Sequence, residues 1–446
     1  MRLSLFSTPS FVLTASLMMS LLTGGSALAA DSLLAIYERA RDSDPEFQQA
    51  IADRQAREQA LPQAKALLRP SVTLDSTFQT TDSDSTFSGS SDAEYEQLSY
   101  GVSLSQPLYR YARGQGVDQA NALVEQANAS FRFAEQALIL RAAERYFAVL
   151  DAREALDAAQ ASLEAIERQL EQAEQRFEVG VIARTDVEEA KAQADLARAQ
   201  RLQASNELES RREALRELTD QAPAGLAGLQ ENVDLSAPSP ADSQQWRDRA
   251  QTDNRQLIAA RFAAQAAMEG VDVERGGRYP QLDLFASYDG VDRYDSASND
   301  PGSDQFSAGV EVTIPFYQGG GVSARVKEAQ FRYTEAREAL EQTRRSVSRD
   351  AANAYRGAMT ALERVRALDQ ARISTQAALD ATEAGFDVGT RTIVDVLNAQ
   401  RERFNAERDY EQARHAYLLN TLRLRQAAGS LSVEDLRAVN ALLERG

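Results

Sequence analysis

The 446-residue chain contains no cysteine. Disulfides, thiolate metal sites and a lipid-modified cysteine are therefore excluded. Histidine occurs once, at His415. With cysteine also missing, the common zinc clusters cannot be built. Basic charge is in deficit, 49 Lys plus Arg against 67 Asp plus Glu. A surface of that sign repels phosphate, which argues against a nucleic-acid partner. Past the N-terminal region no apolar run approaches ~18 residues, so no transmembrane helix is expected. No catalytic constellation is present either. Gln318–Val322, QGGGV, is glycine-rich but lacks the GK[ST] ending of a phosphate loop. Its glycines suit a bend from strand into helix. His415, beside Arg414 and Glu411 on a polar helical stretch, is expected at the surface rather than as a ligand. Trp246 reads as a packing anchor. No enzyme, no cofactor and no metal is the expectation.

What is present begins with a processing segment. Arg2 supplies a positive end, Phe11 to Leu22 is mostly apolar, and Ala27-Leu28-Ala29 offers a small-residue cleavage site. Residues 1–29 are therefore expected to be an export signal; a short N-terminal membrane anchor is the alternative. Export without a spanning helix leaves a soluble exported protein or an outer-membrane β-barrel.

The chain is also written twice. Phe177/Phe386, Val179/Val388, Gly180/Gly389, Asp186/Asp395, Val187/Val396 and Ala190/Ala399 recur at an offset of 209. Pro70 answers Pro280, the QPLY ending at Tyr109 answers the IPFY ending at Tyr317, and Tyr146 answers Tyr355. Beyond the shared break, Val187, Ala190, Ala194, Ala197, Ala204, Leu208, Leu215 and Leu218 form one helical stripe. Its alanines permit close coiled-coil approach. Each half therefore reads helix, two strands, very long helix, break, helix.

The strand segments alternate with period two: Val72, Leu74 and Phe78 against Thr73, Asp75 and Thr77; Leu98, Tyr100, Val102 and Leu104 against Ser99, Gly101, Ser103 and Ser105. Leu282, Leu284, Ala286 and Tyr288, then Phe306, Ala308, Val310, Val312 and Ile314, repeat the pattern. Alternating segments of roughly ten residues are what an outer-membrane barrel requires. Thr80–Glu94 and Asp289–Asp304, rich in Ser, Asp and Gly, read as solvated loops; a calcium site there would lack EF-hand spacing. Four strands cannot close a barrel, and open edges in hydrocarbon leave unpaired backbone groups. Several chains must contribute, and three would supply about twelve strands. Ala112–Phe177 and Val322–Phe386 contain no proline, and at ~1.5 Å per residue each spans about 100 Å. That is about three times the ~30 Å hydrocarbon thickness, so these helices cross an aqueous compartment.

Two interruptions end the long helices, FEVGVIARTDVEEAK at Phe177–Lys191 and FDVGTRTIVDVLNAQ at Phe386–Gln400. Gly180 and Gly389 suit the left-handed position that terminates a helix. Thr185 and Thr392 suit the following N-caps, with Glu188 and Asp395 three residues on. On local sequence alone Asp395 is a capping residue.

These segments, with ERARDSDPEF at Glu38–Phe47, RPSVTL at Arg69–Leu74, IPFYQGGGV at Ile314–Val322 and VGTRTIVDVL, resemble the TolC-like outer-membrane channel proteins of Gram-negative bacteria. The resemblance implies a mainly α protein with a small β part. It also implies a homotrimer, whose twelve-stranded outer-membrane barrel continues into a long periplasmic α-helical coiled-coil barrel. It divides the chain into a first repeat at 30–220, an equatorial linker at 221–250, a second repeat at 251–428 and a C-terminal equatorial segment at 429–446. It places the two turns at a periplasmic gate, with Arg391 linked to Thr185 and Asp186, Gln169 as a further polar partner, and Asp395 facing the pore. Two departures follow: the family's gate tyrosine is Phe386, and a second pore aspartate is Asn398. The implied function is an exit duct for multidrug efflux or type I protein secretion. Its implied partners are a periplasmic adaptor (membrane fusion) protein, an inner-membrane transporter of RND or ABC type, and outer-membrane lipid, without nucleic acid. An exported coiled-coil scaffold without a pore is the alternative.

Overall fold

The computed structural model describes residues 31–83, 93–223, 225–294 and 302–444. The expected export signal lies outside the described residues, as do the centres of both Ser/Asp-rich loops. The first half runs α1 (Leu33–Ser43), α2 (Pro45–Glu58), α3 (Ala60–Ala66), β1 (Ser71–Ser83), β2 (Ala93–Arg110), α4 (Tyr111–Glu178) and α5 (Arg184–Thr219). The second runs α6 (Ser243–Asp253), α7 (Arg255–Arg275), β3 (Gln281–Tyr294), β4 (Ser303–Thr313), α8 (Gly321–Asp387), α9 (Ile393–Ala427) and α10 (Val433–Asn440). The duplication is thus a duplication of structure. Even the caps correspond, since Asp44 opens α2 by accepting from Phe47 N and Asn254 opens α7 by accepting from Leu257 N.

The strands form one antiparallel sheet in the order β1-β2-β3-β4. Its register aligns Leu74, Val102, Tyr288 and Phe306 in one row and Val72, Leu104, Ala286 and Ala308 in the next. The opposite face carries rows such as Thr73, Ser103, Ser287 and Ser307, with the last two hydroxyls 2.9 Å apart. A slip of one residue would exchange the faces, so apolar alternation specifies this register. The apolar face is bare in the protomer: Leu74 is 74% and Phe306 71% exposed. A bulge between Pro107 and Tyr109 resets the parity of β2. Proline lacks the N–H that the interrupted ladder would need. Tyr109 consequently lies opposite Leu282 on the apolar face. Arg110 turns to the polar face, where its Nε and Nη2 donate to Asp283 at 2.9 and 2.6 Å.

The strands extend further than the alternation suggests, to Ser83 and Tyr294 and back from Ala93 and Ser303, taking in much of both expected loops. Backbone pairing needs no apolar face once the sheet leaves an apolar medium, and Arg293 over the Tyr95 ring at 4.9 Å ties two of these polar rungs. At the other end, Gly319 and Gly320 take positive φ of 59° and 84° and turn the chain into α8, as the QGGGV stretch suggests.

The helices α4 and α8 have 68 and 67 residues, about 100 Å each at ~1.5 Å per residue. α4 packs on α5, α7 and α9, and α8 on α6, α7 and α9. No described helix is long and apolar enough to cross a membrane. The main core sits midway, where Tyr146, Phe147 and Leu150 of α4 meet Leu215, Leu422 and Leu436. There the chain wraps into a small mixed girdle, with bridges Asp31–Leu226 and Leu229–Leu443. Tyr146 is buried, which raises its phenol pKa, and its hydroxyl donates to Ala227 O at 2.7 Å. Trp246 is the expected anchor, its Nε1 donating to Pro240 O at 2.7 Å.

His415 is not at the surface. It is 2% exposed, lies against the Phe147 ring, and has Nδ1 2.6 Å from Asp151. Arg414 is equally buried, bonding Glu411 and the carbonyls of Gln230 and Glu231. The stretch looks polar in sequence because its partners come from α4 and the girdle, remote in the chain.

Candidate functional site

Far from the sheet, both long helices end in the same backbone motif. In the first turn Val181 N donates to Arg176 O and Gly180 N to Phe177 O, both at 2.9 Å. In the second, Thr390 N donates to Gly385 O at 2.8 Å and Gly389 N to Phe386 O at 3.0 Å. This six-to-one plus five-to-two pattern satisfies the last helical carbonyls and needs a left-handed residue. Gly180 and Gly389 supply it with φ of 76° and 80°.

The following helices start differently. Thr392 caps α9: its Oγ1 accepts from Asp395 N at 3.2 Å, and Asp395 Oδ2 accepts from Thr392 N at 2.9 Å. Those hydrogen bonds from the Thr392 backbone and hydroxyl, helped by the Arg391 charge, lower the Asp395 pKa. Asp395 is thus a capping residue, while its Oδ1 takes no hydrogen bond within the protomer. In the first copy the cap is Ala183, not Thr185. Thr185 is the second residue of the helix, and Asp186 Oδ2 accepts from Ala183 N at 3.4 Å. Offset 209 pairs Ala183 with Thr392, so the repeat register carries the signal that hydroxyl chemistry at Thr185 obscures.

Below the turns a small core gathers Leu163, Ile166 and Ala173 of α4, Ala190, Ala194 and Ala197 of α5, and Ile393 and Leu397 of α9, with Phe386 packed on it. The Arg176 guanidinium lies 4.5 Å over the Phe386 ring. Sequence reasoning missed this contact, because position 385, which answers Arg176, is glycine. Gly385 is needed there: a Cβ would come within 2.8 Å of Arg391 Cγ, so the Arg391 stem folds across it. The Arg391 guanidinium itself is exposed and bonds neither Thr185 nor Asp186 within the protomer. Gln169 has an enclosed Oε1 with no hydrogen-bond partner. Asn398 Oδ1 accepts from Arg401 Nη2 at 2.7 Å, and Arg401 Nη1 reaches Gln193 Oε1 of α5 at 3.5 Å. No group of His, Cys, Asp or Glu among the described residues could hold a metal ion. Val179, Val181 and Val388 stand 74, 69 and 76% exposed at the tips.

A sheet with one bare apolar face, two open edges and about 100 Å of helix beyond it is the protomer of a membrane channel with a long aqueous extension. The comparisons agree. The profile of the family described as "Outer membrane efflux protein" matches residues 36–221 and again 246–430, one match per repeat. The outer membrane protein TolC of Vibrio cholerae is 38% identical over 426 residues, covering 95% of this chain and 96% of that one. TolC of Escherichia coli is 34% identical, with 95% of this chain and 87% of the relative covered. The crystal structure of the Campylobacter jejuni CmeC outer membrane channel superposes with a TM-score of 0.77 over 98% of both chains, at 14% identity, a likeness of fold. The chain belongs to the outer membrane efflux protein family. It is an outer-membrane channel of the Gram-negative efflux and secretion kind, not an enzyme, and channels of this family work as trimers with efflux and secretion systems.

Proposed function

We propose that three copies close a twelve-stranded barrel, four strands from each, and that the helix turns form its periplasmic gate. The observation that carries this is the pair of unpaired edges, β1 and β4, flanking an in-register apolar face. Unpaired edges cannot persist in hydrocarbon, and pairing β4 of one copy with β1 of the next removes both. In this reading the two repeats are 30–220 and 251–428, with 221–250 as the equatorial linker and 429–446 as the C-terminal equatorial segment.

At the tip, Arg391 is a free cation one turn from Asp395, and Gln169 has an unused acceptor. Both are suited to partners on a neighbouring copy, with Thr185 and Asp186 supplying the acceptors for Arg391. Three Asp395 Oδ1 atoms, each unused within its protomer, would make an acidic constriction. With Asn398 in place of a second carboxylate, that ring stands alone. The exposed valines suit a protein docked end-on, which supports a periplasmic adaptor bringing an RND or ABC transporter. Cargo is then set by that pump.

Planar-bilayer recordings test the gate. Arg391→Ser is expected to raise resting conductance with oligomer yield unchanged, and Asp395→Asn to weaken block by multivalent cations. An Arg391→Ser channel that conducts like wild type would refute the gate. Val310→Arg, on the apolar face, is expected to cost ~2–4 kcal/mol and to deplete the assembled channel, while Thr313→Arg, on the polar face, changes conductance alone.

A further inference from the structure

The offset of 209 carries the contacts between α4 and α9 onto a second pair of helices, α8 and α5. Within the protomer, α4 meets α9 along an apolar seam. Ala143, Phe147 and Leu150 of α4 and Leu418 and Leu422 of α9 are buried in one cluster. Specific contacts set the antiparallel register: Gln136 Nε2 donates to Gly429 O at 3.0 Å, Arg423 Nη2 donates to Glu144 Oε1 at 2.7 Å, and the Phe147 and His415 rings lie tilted against each other at 5.1 Å.

Shifted by the repeat, the α4 row Gln136, Leu140, Ala143, Phe147 becomes Arg345, Arg349, Ala352, Arg356 on α8. The α9 row His415, Leu418, Leu422, Gln426, followed by Gly429, becomes Asn206, Glu209, Glu213, Glu217 and Asp220 on and just after α5. Most positions that are buried or half-buried in the first pair of helices are charged in the second, with Ala352 and Asn206 the exceptions. Arg345, Arg349, Arg356, Glu209, Glu213, Glu217 and Asp220 are all exposed in the protomer. The arginines border an open groove of about 380 Å³ that Arg247 and Arg344 also line, with no carboxylate in its wall. Arg247 has an enclosed Nε without a hydrogen-bond partner. Five arginines around one groove are unexpected in a chain of net charge −18.

We propose that the α8 arginine row of one copy and the α5 acidic row of the next form the seam between copies, an ion-paired counterpart of the apolar seam within each copy. This rests on the closed ring of copies proposed above. The register follows from the inner seam: Gln136 with Gly429 translates to Arg345 with Asp220 of the neighbouring copy, and Phe147 with His415 to Arg356 beside Asn206. Arg349 then falls between Glu213 and Glu217 of that copy. Both rows run antiparallel with opposite sign, so they match along their length. The choice of charge has a physical reason. The inner seam closes as the chain folds, whereas the outer flanks face water until copies meet, and an apolar flank there would aggregate. Charges keep the lone protomer soluble and select partner and register. Local pairs such as Arg345 with Glu341 and Glu209 with Arg212, both at 2.7 Å, hold the rows meanwhile.

The test uses full-length protein extracted from membranes. Native mass spectrometry of the wild type comes first: a monomer would overturn the ring itself. Given a ring, Arg349→Glu and Glu213→Arg are each expected to lower its dissociation temperature and to sharpen its sensitivity to salt. Combining them should restore most of the loss, which a merely structural effect would not do. Because the chain has no cysteine, Arg345→Cys with Asp220→Cys should give a ladder of covalently linked copies on oxidation, reversed by reductant. A stable ring in which reversals have no effect, or in which the partner reversal does not rescue, overturns the seam. So does loss of binding to a polyanion such as heparin in Arg349→Glu with ring stability unchanged, which would make the groove a solvent-facing anion site.

Discussion

The two helix turns share one backbone and several side chains, and differ at the cap and at the residues that stack or carry charge. Both close on a left-handed glycine with the same pair of carbonyl-capping hydrogen bonds. The first is then capped by Ala183, which has no side-chain acceptor, and the second by the reciprocal Thr392–Asp395 box. The first contributes Arg176, lying over Phe386; the second contributes Gly385, which makes room for Arg391. Duplication preserved what the backbone requires, and specialisation went into residues that cap, stack or carry free charge. The second turn is the better anchored at its helix start, and it presents the unpaired cation.

If the backbones are equivalent, valine at either glycine should be equally costly. Gly180→Val and Gly389→Val each force a β-branched residue to positive φ, at roughly 1–3 kcal/mol. Thermal unfolding should show matching losses; unequal ones would mean that the turns are not equivalent. The caps should then separate the turns. Thr392→Ala is expected to cost about 1 kcal/mol, and Ala183→Thr to recover a similar amount in the first turn, read as hydrogen-exchange protection of the first turns of α9 and α5. The stacked pair should contribute less. Arg176→Ala is expected to cost ~0.5–1 kcal/mol, and Phe386→Leu in that background to cost no more than its lost packing, which a double-mutant cycle measures.

The smallest effect is one of pH. Hydrogen bonds from Thr392 lower the folded pKa of Asp395 below the ordinary 3.8. Its contribution is therefore fully present above that ordinary value and is lost as pH falls through the depressed one. Fraying of the α9 start should increase below about pH 3.8 in the wild type and be flat with pH in Asp395→Asn. The first turn, where Asp186 makes a single long bond to Ala183 N, serves as the internal control.

Much of this architecture was legible in one dimension. Period-two alternation announced four strands and their faces, because a sheet flanked by two media needs one side chain type per face. Proline-free stretches announced the long helices, and the glycines at 180 and 389 announced the turns, because few other residues tolerate that backbone. The offset of 209 announced the repeat, since a duplicated chain keeps its breaks in phase.

Tertiary structure decided what depends on which face meets which neighbour. The hydroxyl of Thr185 made it look like a cap, yet the cap lies two residues earlier at Ala183 and the helix begins at Arg184. His415 sat among charges in sequence and lies in the core, because Phe147 and Asp151 arrive from a helix about 260 residues away in the chain. The bulge at Pro107 reversed a parity that alternation alone would have carried on, turning Arg110 inward to Asp283. Arg176 met Phe386 only because two helix ends converge. Local chemistry sets the period, the break and the cap type, since these are settled within a few residues. Burial and pairing are set by contacts whose partners lie far along the chain, and no local pattern encodes which partner will arrive.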